Sequence, residues 1–324
     1  MFHKMGHFVF PLGVYFGGRR SEGFRPEIDF RPDVAQYTEQ FLALGGKFRY
    51  GSPASSHVIT REFVELFDVV VVMHDSEFIK THWAALSARP VIWRTIGVDT
   101  VRLEYEMADV RAMGCVIVRY CPKEAVVEPY LGHDAIIRFP KQPDDFAEWQ
   151  GDGANVLTFS NTMRQRFEKE AAIFSESVRG LKAVIGGIGN DGMENAIGLV
   201  EFAEQLELLK TSRAYYYCAG SHIPYTLNFI EAWMSGIPLV ALDCRAVHAP
   251  DVCRFAEVPH LIEHEKTGFL VENAEDANAA FRRLIEDPAL AKKIGQQGRE
   301  AAKALFSHDA VSAGWSRLFS RMGL

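Results

Sequence analysis

The sequence predicts an α/β fold made of two Rossmann-like halves, and three observations carry that prediction. Short, nearly continuous apolar runs recur at 67–75, 90–97, 115–120, 155–160, 181–189, 214–219 and 237–241. Such runs fit parallel strands buried on both faces. Helical stretches alternate with them, at 33–44, 62–66, 123–130, 203–210 and 227–235, as parallel crossovers require. The length, 324 residues, suits two domains better than one core.

Taken in order, residues 7–10 read as a first strand. A Gly-rich basic loop follows, with Gly17 and Gly18, then a helix at 33–44 stopped by Gly45 and Gly46, then a strand at 47–50. Together these form a βαβ unit. The run 67–75 ends in His74 and Asp75, and the run 90–97 carries Arg94 and Thr95 near its end. Ligands of α/β sheets gather at such carboxyl ends. A strand at 134–140 leads to a polar, Gly-bearing linker at 147–153. The second half opens with the strand at 155–160, followed by the basic segment of Arg164, Arg166 and Lys169. The strand at 181–189 enters a loop with Gly186, Gly187 and Gly189. Its spacing does not match the dinucleotide fingerprint. Helical stretches at 275–286 and 288–306 come later, and residues 309–322 place Val311, Trp315, Leu318 and Phe319 at helical spacing.

The stretch 221–241 reads as loop, helix, tight turn and buried strand. Thr226 suits the helix start, and Gly236 its stop with Pro238 beyond. The helix is apolar nearly all round, so it is buried. Glu231 sits in its middle, and a buried carboxylate needs a partner. The backbone amides of Tyr225, Thr226 and Leu227 lie at the helix start, where the dipole is positive. That is a ready site for a diphosphate.

The segment Glu231-Ala232-Trp233-Met234-Ser235-Gly236-Ile237-Pro238-Leu239-Val240 resembles the nucleotide-binding signature of retaining family-4 glycosyltransferases, which have the GT-B fold. In that signature a first Glu precedes by eight positions; here Ile223 stands there. Val258-Pro259-His260-Leu261 and Thr267-Gly268-Phe269-Leu270-Val271 also resemble the family, and the likeness is nearly continuous over 155–306. It implies two Rossmann-like domains facing across a cleft: 1–150 for the acceptor, 151–306 for the sugar nucleotide, and 307–324 as a helix packing back on the first domain. It gives Glu231 the ribose hydroxyls. It gives Arg166 the donor diphosphate, with Arg164 and Lys169 as neighbouring alternatives. Gly186, Gly187, Val200 and Glu201 fall on the donor side, and Gly17 and Gly18 on the loop between donor and acceptor. His74, Asp75 and Arg94 would orient the acceptor; Ile96 stands where many relatives carry a His.

The implied reaction is sugar transfer from a nucleoside-diphosphate sugar (UDP- or GDP-linked) to a hydroxyl, with retention of anomeric configuration. No Asp-x-Asp occurs in the sequence, so the reading is metal-independent, with no cofactor beyond the donor. The net charge of −7 and pI of about 5.9 favour a glycan or small hydroxylated acceptor over nucleic acid. The alternatives are a hydroxymethylated base in DNA, for which Arg19, Arg20, Arg25 and Arg31 would meet phosphates and Phe16, Phe24, Tyr50 and Trp93 would stack, and a non-catalytic sugar-nucleotide-binding protein. Five Cys without metal spacing read as reduced thiols of a cytoplasmic protein. No run reaches transmembrane length, and the apolar start, broken by Pro11 and Gly13, reads as core strand.

Overall fold

The structure is a computed structural model that describes residues 1–12, 32–48, 57–96, 101–218 and 223–324. The described chain forms two compact units. The first takes the residues up to Arg138 together with Ser312–Leu324; the second is Phe139–Val311. No helix among the described residues is long and apolar enough to cross a membrane.

In the first unit, helices α1 (Pro32–Ala43) and α2 (Arg61–Val64) precede strand β1 (Val70–Met73). Then come α3 (Ser76–Leu86), β2 (Val91–Arg94), α4 (Val101–Ala112), β3 (Val116–Arg119) and β4 (Ala135–Ile136). The four strands are parallel, in the order β1-β2-β3-β4. The helix at 33–44 and the strands at 67–75, 90–97, 115–120 and 134–140 are present, the strands shorter than their apolar runs. The predicted βαβ unit of the first fifty residues is not formed by the described residues. Residues 7–10 join no sheet. Their apolar alternation is instead satisfied by aromatic packing, Phe8 on Tyr37 at 4.5 Å and Phe10 on Phe63 at 5.1 Å. Lys47 forms an isolated antiparallel bridge with Val58 rather than a parallel ladder. The predicted helix at 123–130 is a 3-10 turn, Pro122–Val126, that ends at the extended Val127; Pro129, just beyond, disfavours helical backbone in the residue before it.

A buried charge cluster fixes the carboxyl ends of β2 and β3. Arg119 donates to both oxygens of Glu104, at 2.6 and 2.8 Å, and to the carbonyl of Gly132. Its guanidinium lies 4.2 Å from the Tyr130 ring. Glu124 is fully buried beside it. Its Oε1 accepts from the Thr95 hydroxyl and from the amides of Tyr120 and Cys121. Its Oε2 accepts no hydrogen bond from the described residues and lies 3.6 Å from Arg119. One cation thus faces two carboxylates. Burial dominates over the Arg119 charge and the three hydrogen bonds, and pushes the Glu124 carboxyl up to about 7.

The second unit contains β5 (Asn155–Phe159), α5 (Met163–Arg166), α6 (Glu168–Ser177), β6 (Lys182–Gly186), β7 (Ala196–Gly198), α7 (Phe202–Thr211) and β8 (Ala214–Tyr217). It continues with α8 (Leu227–Ser235), β9 (Leu239–Leu242), α9 (Cys244–Val247), α10 (Pro250–Cys253), α11 (Val258–Leu261), β10 (Phe269–Val271), α12 (Ala274–Glu286) and α13 (Pro288–Phe306). The sheet order is β10-β9-β8-β5-β6-β7, all parallel. Counted from its own first strand, that is the doubly wound order 3-2-1-4-5-6. Strands β5, β6, β8 and β9 match their predicted runs. The edge strand β7 has no apolar run to announce it, since Ile197 is 47% exposed.

Helix α8 is buried from Phe229 to Ser235 and lies along α13. Two glycines of α13 make that approach close. A Cβ on Gly295 would stand 2.0 Å from the Gly236 carbonyl oxygen, and one on Gly298 would stand 2.8 Å from the Thr267 carbonyl oxygen. The last helix, α14 (His308–Met322), enters the first unit at Ser312, where Trp315 meets Phe2 edge-on at 4.9 Å.

Two outcomes follow from these contacts. Gly295→Ala should lower stability by about 3 kcal/mol, because the obstructing atom is backbone; a denaturant midpoint unchanged from wild type would contradict the close packing. The raised carboxyl of Glu124 has the opposite pH sign from a salt-bridged acid. Its stabilisation is complete below the unfolded value of 4.5 and is lost as pH rises to about 7. Urea titrations from pH 5 to 7.5 should show wild type losing on the order of 3 kcal/mol from this group, and Glu124→Gln lacking that decline.

Candidate functional site

In the second unit, β5 and β8 are neighbours whose connections run to opposite sides of the sheet. Doubly wound sheets open a ligand crevice at that switch point, beyond the carboxyl ends of the strands. Three segments meet there: the turn after β5, the loop after β6 and the start of α8.

The first two are laced together. The Asn190 amide is buried; it donates to the carbonyls of Ser160 (2.6 Å) and Gly187 (3.1 Å) and accepts from the Met163 amide at 2.8 Å. Asn161 accepts from the Ile188 amide at 3.0 Å. Gly186 ends β6. Gly187, at φ 133°, leaves no room for a side chain, since a Cβ would stand 2.2 Å from the Ser160 carbonyl oxygen. On the α8 side, Asn228 donates to the Phe159 carbonyl at 3.1 Å. A rigid rim of backbone results.

Helix α8 begins as its sequence predicts. Thr226 is the N-cap, and its hydroxyl accepts from the Phe229 amide at 3.2 Å. Leu227 and Asn228 are the first two helical residues, whose amides have no acceptor within the helix. Tyr225 is buried and edge-on to Phe306 at 5.3 Å. The four residues before Ile223 lie outside the described residues, as do Gly17, Gly18, Arg19, Arg20, Arg25, Arg31, Phe16, Phe24 and Tyr50. Gly236 ends α8 at φ 83°, the left-handed stop expected.

Glu231 is 5% exposed. Lys141 forms an ion pair with its Oε1, and Gln205 of α7 donates to its Oε2 at 2.7 Å. Neither partner was legible as such. Lys141 lies in an irregular segment 90 positions away, and Gln205 is one polar residue among several on a surface helix. Val200 is buried and Glu201 is the exposed N-cap residue of α7, so the predicted nucleobase segment leads directly into the helix that carries Gln205. Arg164 and Arg166 are exposed on α5, and Lys169 is exposed on α6. The Arg166 guanidinium lies 5.0 Å from the Phe167 ring.

In the first unit, His74 and Asp75 close β1 and line a cavity of about 420 Å³ with Ser76, Lys80, Arg102 and Glu106. His74 is exposed and holds φ 65°, in the left-handed region that a non-glycine residue rarely adopts. Asp75 caps α3 by accepting from the Phe78 amide at 2.8 Å. The Ser76 hydroxyl donates to Glu106 at 2.9 Å, Arg102 pairs with Glu106 and Lys80 with Asp109. Arg94 stands apart from this cavity's lining. It is 2% exposed, and its Nη2 donates to the carbonyls of Ile137 and Arg138 at 2.9 Å each. Trp93, one residue earlier, is wholly buried in the core.

No family model matches the sequence. Over 105 residues the chain is 30% identical to the lipopolysaccharide core biosynthesis glycosyltransferase LpsD of Rhizobium meliloti, an alignment that spans 32% of this chain and 27% of that protein. The crystal structure of S. aureus TarM in complex with fondaparinux, alpha-GlcNAc-glycerol and UDP superposes with a TM-score of 0.60 at 15% identity, covering 77% of this chain and 55% of TarM. That of Anabaena HepE with UDP-glucose gives 0.58 at 12% identity, covering 82% and 81%. The chain therefore spans about a quarter of LpsD and just over half of TarM. The two parallel α/β sheets and these structural likenesses give the chain the GT-B fold of glycosyltransferases.

Proposed function

We propose that this chain is a glycosyltransferase that takes its sugar from a uridine-diphosphate donor bound at the carboxyl edge of the second sheet. One observation carries the reading: a buried, ionically paired carboxylate, Glu231, on the helix whose N-terminus opens into the switch-point crevice. A carboxylate suits the vicinal hydroxyls of a ribose. Unpaired amides at a helix start suit a diphosphate. HepE and TarM, of the same fold, were crystallised with UDP-glucose and UDP.

In this reading Glu231 accepts from the ribose hydroxyls. The backbone rim of Gly186, Gly187 and the Leu227–Asn228 amides surrounds the diphosphate, and Val200 and Glu201 flank the base. Arg166, with Arg164 and Lys169 close in sequence, meets the charge that grows on the leaving phosphate. Such charge-matched groups act mainly in the transition state. The acceptor hydroxyl attacks the anomeric carbon as the bond to the diphosphate breaks, and the departing phosphate oxygen takes the acceptor proton on the same face. That course retains configuration and needs no metal. A glycan or small hydroxylated acceptor is assigned to the cavity lined by His74 and Asp75. Arg94 acts as a positioning residue, through the backbone of Ile137 and Arg138.

Calorimetry with UDP-glucose is the first test, and slow donor hydrolysis is the second. Hydrolysis separates a transferase from a protein that only binds sugar nucleotide. Glu231→Gln should weaken UDP by about 10- to 100-fold, the scale of hydrogen bonds to a charged group. Arg166→Ala should lower turnover about 10-fold or more while changing donor affinity little. No heat and no hydrolysis with any UDP-sugar would remove the reading.

A further inference from the structure

The Glu231 carboxylate is held at both oxygens by side chains from two different parts of the second unit. Lys141 occupies Oε1, and Gln205 occupies Oε2 at 2.7 Å. We infer that Lys141 and Gln205 orient this carboxylate so that it discriminates ribose from 2′-deoxyribose, an assignment that rests on the donor reading above.

Lys141 is not a wandering surface cation. Its backbone amide donates to the Phe306 carbonyl at 2.8 Å, and the residue bridges to Ser307. Two residues on, the Pro143 carbonyl accepts from Arg299 of α13 at 3.1 Å. The Lys141 side chain is 15% exposed and that of Glu231 is 7% exposed. Gln205 is set by the first turn of α7, where its amide donates to the Glu201 carbonyl at 2.8 Å. The backbone that carries each donor is therefore anchored, Lys141 beside the end of α13 and Gln205 within α7.

A carboxylate offers about two acceptor positions on each oxygen. Among the described residues, one on each oxygen is taken and one on each remains. Because the two donors bond to different oxygens, rotation about the Cγ–Cδ bond breaks both bonds. The remaining lone pairs are thus held in a fixed plane, spaced for two neighbouring hydroxyls. The roles of the donors differ. Lys141 supplies the opposite charge, since a buried charge without a partner is costly. Gln205 carries no charge and fixes only the angle. Loss of either donor frees the carboxylate to turn, and the pairing with two hydroxyls at once is lost first.

Equilibrium binding of UDP and of 2′-deoxy-UDP tests this on the full chain, in wild type, Lys141→Met, Lys141→Arg and Gln205→Leu. Wild type should bind UDP at least about 10-fold more tightly than the deoxy nucleotide, the worth of one charge-assisted hydrogen bond. Lys141→Met and Gln205→Leu should shrink that ratio to about 3-fold or less, chiefly by weakening UDP, and Lys141→Arg should preserve it. A merely structural pair would weaken both nucleotides alike and leave the ratio unmoved. Thermal melts identify a variant that does not fold, and Gln205→Leu, which leaves the ion pair intact, then decides alone. An unchanged ratio in Gln205→Leu overturns the proposal while leaving the donor reading standing. Wild type that binds no UDP overturns both.

Discussion

A carboxylate buried in the middle of a largely apolar helix is the constraint around which the second unit is arranged. Helix α8 buries every residue from Phe229 to Ser235, and Glu231 with them. A carboxylate in that position must be matched by hydrogen-bond donors and a cation, or the helix could not lie where it does. The match is supplied by Lys141 from the segment before β5 and by Gln205 from α7. Two glycines of α13 and the indole of Trp233, which donates to the Thr267 carbonyl at 2.9 Å, close the other side. The position of α8 in turn sets where its amides open at the switch point.

The rim of that crevice is made of backbone, and side-chain amides hold it. Asn190 and Asn161 tie the turn after β5 to the loop after β6, and Asn228 ties α8 to the end of β5. Uncharged amides of this kind can serve as both donor and acceptor, so they join loops without adding charge to the crevice. The cations, Arg164, Arg166 and Lys169, stand outside on exposed surface. Neutral donors thus lie within the rim, and the positive charge stands on the exposed surface beside it.

The first unit handles buried charge differently. There two carboxylates share one guanidinium, and the second acid, Glu124, is raised toward neutrality. Its hydrogen bonds reach the ends of β2 and β3 together, through Thr95, Tyr120 and Cys121. The carboxyl edge of this sheet is therefore held by a cluster that carries either no net charge or one negative charge, according to whether a proton is bound. The neighbouring β1 ends in the strained His74 and the capping Asp75.

The sequence by itself determined the alternation of buried strands and helices, the α8 helix with its Thr226 cap and Gly236 stop, and the presence of a carboxylate in that helix needing partners. These are local properties: apolar period, capping chemistry and the cost of burying charge act within a few residues. It misread residues 7–10 as a strand, because alternating Phe8 and Phe10 fit an aromatic cluster with Tyr37 and Phe63 as well as a sheet. It left β7 unmarked, because a short exposed edge strand needs no apolar run. Only the tertiary structure decided which groups meet Glu231. The three residues come from the segment before β5, from α7 and from α8, and no spacing rule joins them. It also showed Arg94 buried against backbone carbonyls, while His74 and Asp75 line a cavity, although all three lie at carboxyl ends of neighbouring strands. Successive side chains leave a strand on opposite faces, and what covers each face is settled by distant parts of the chain, which is why position along the sequence could not tell them apart.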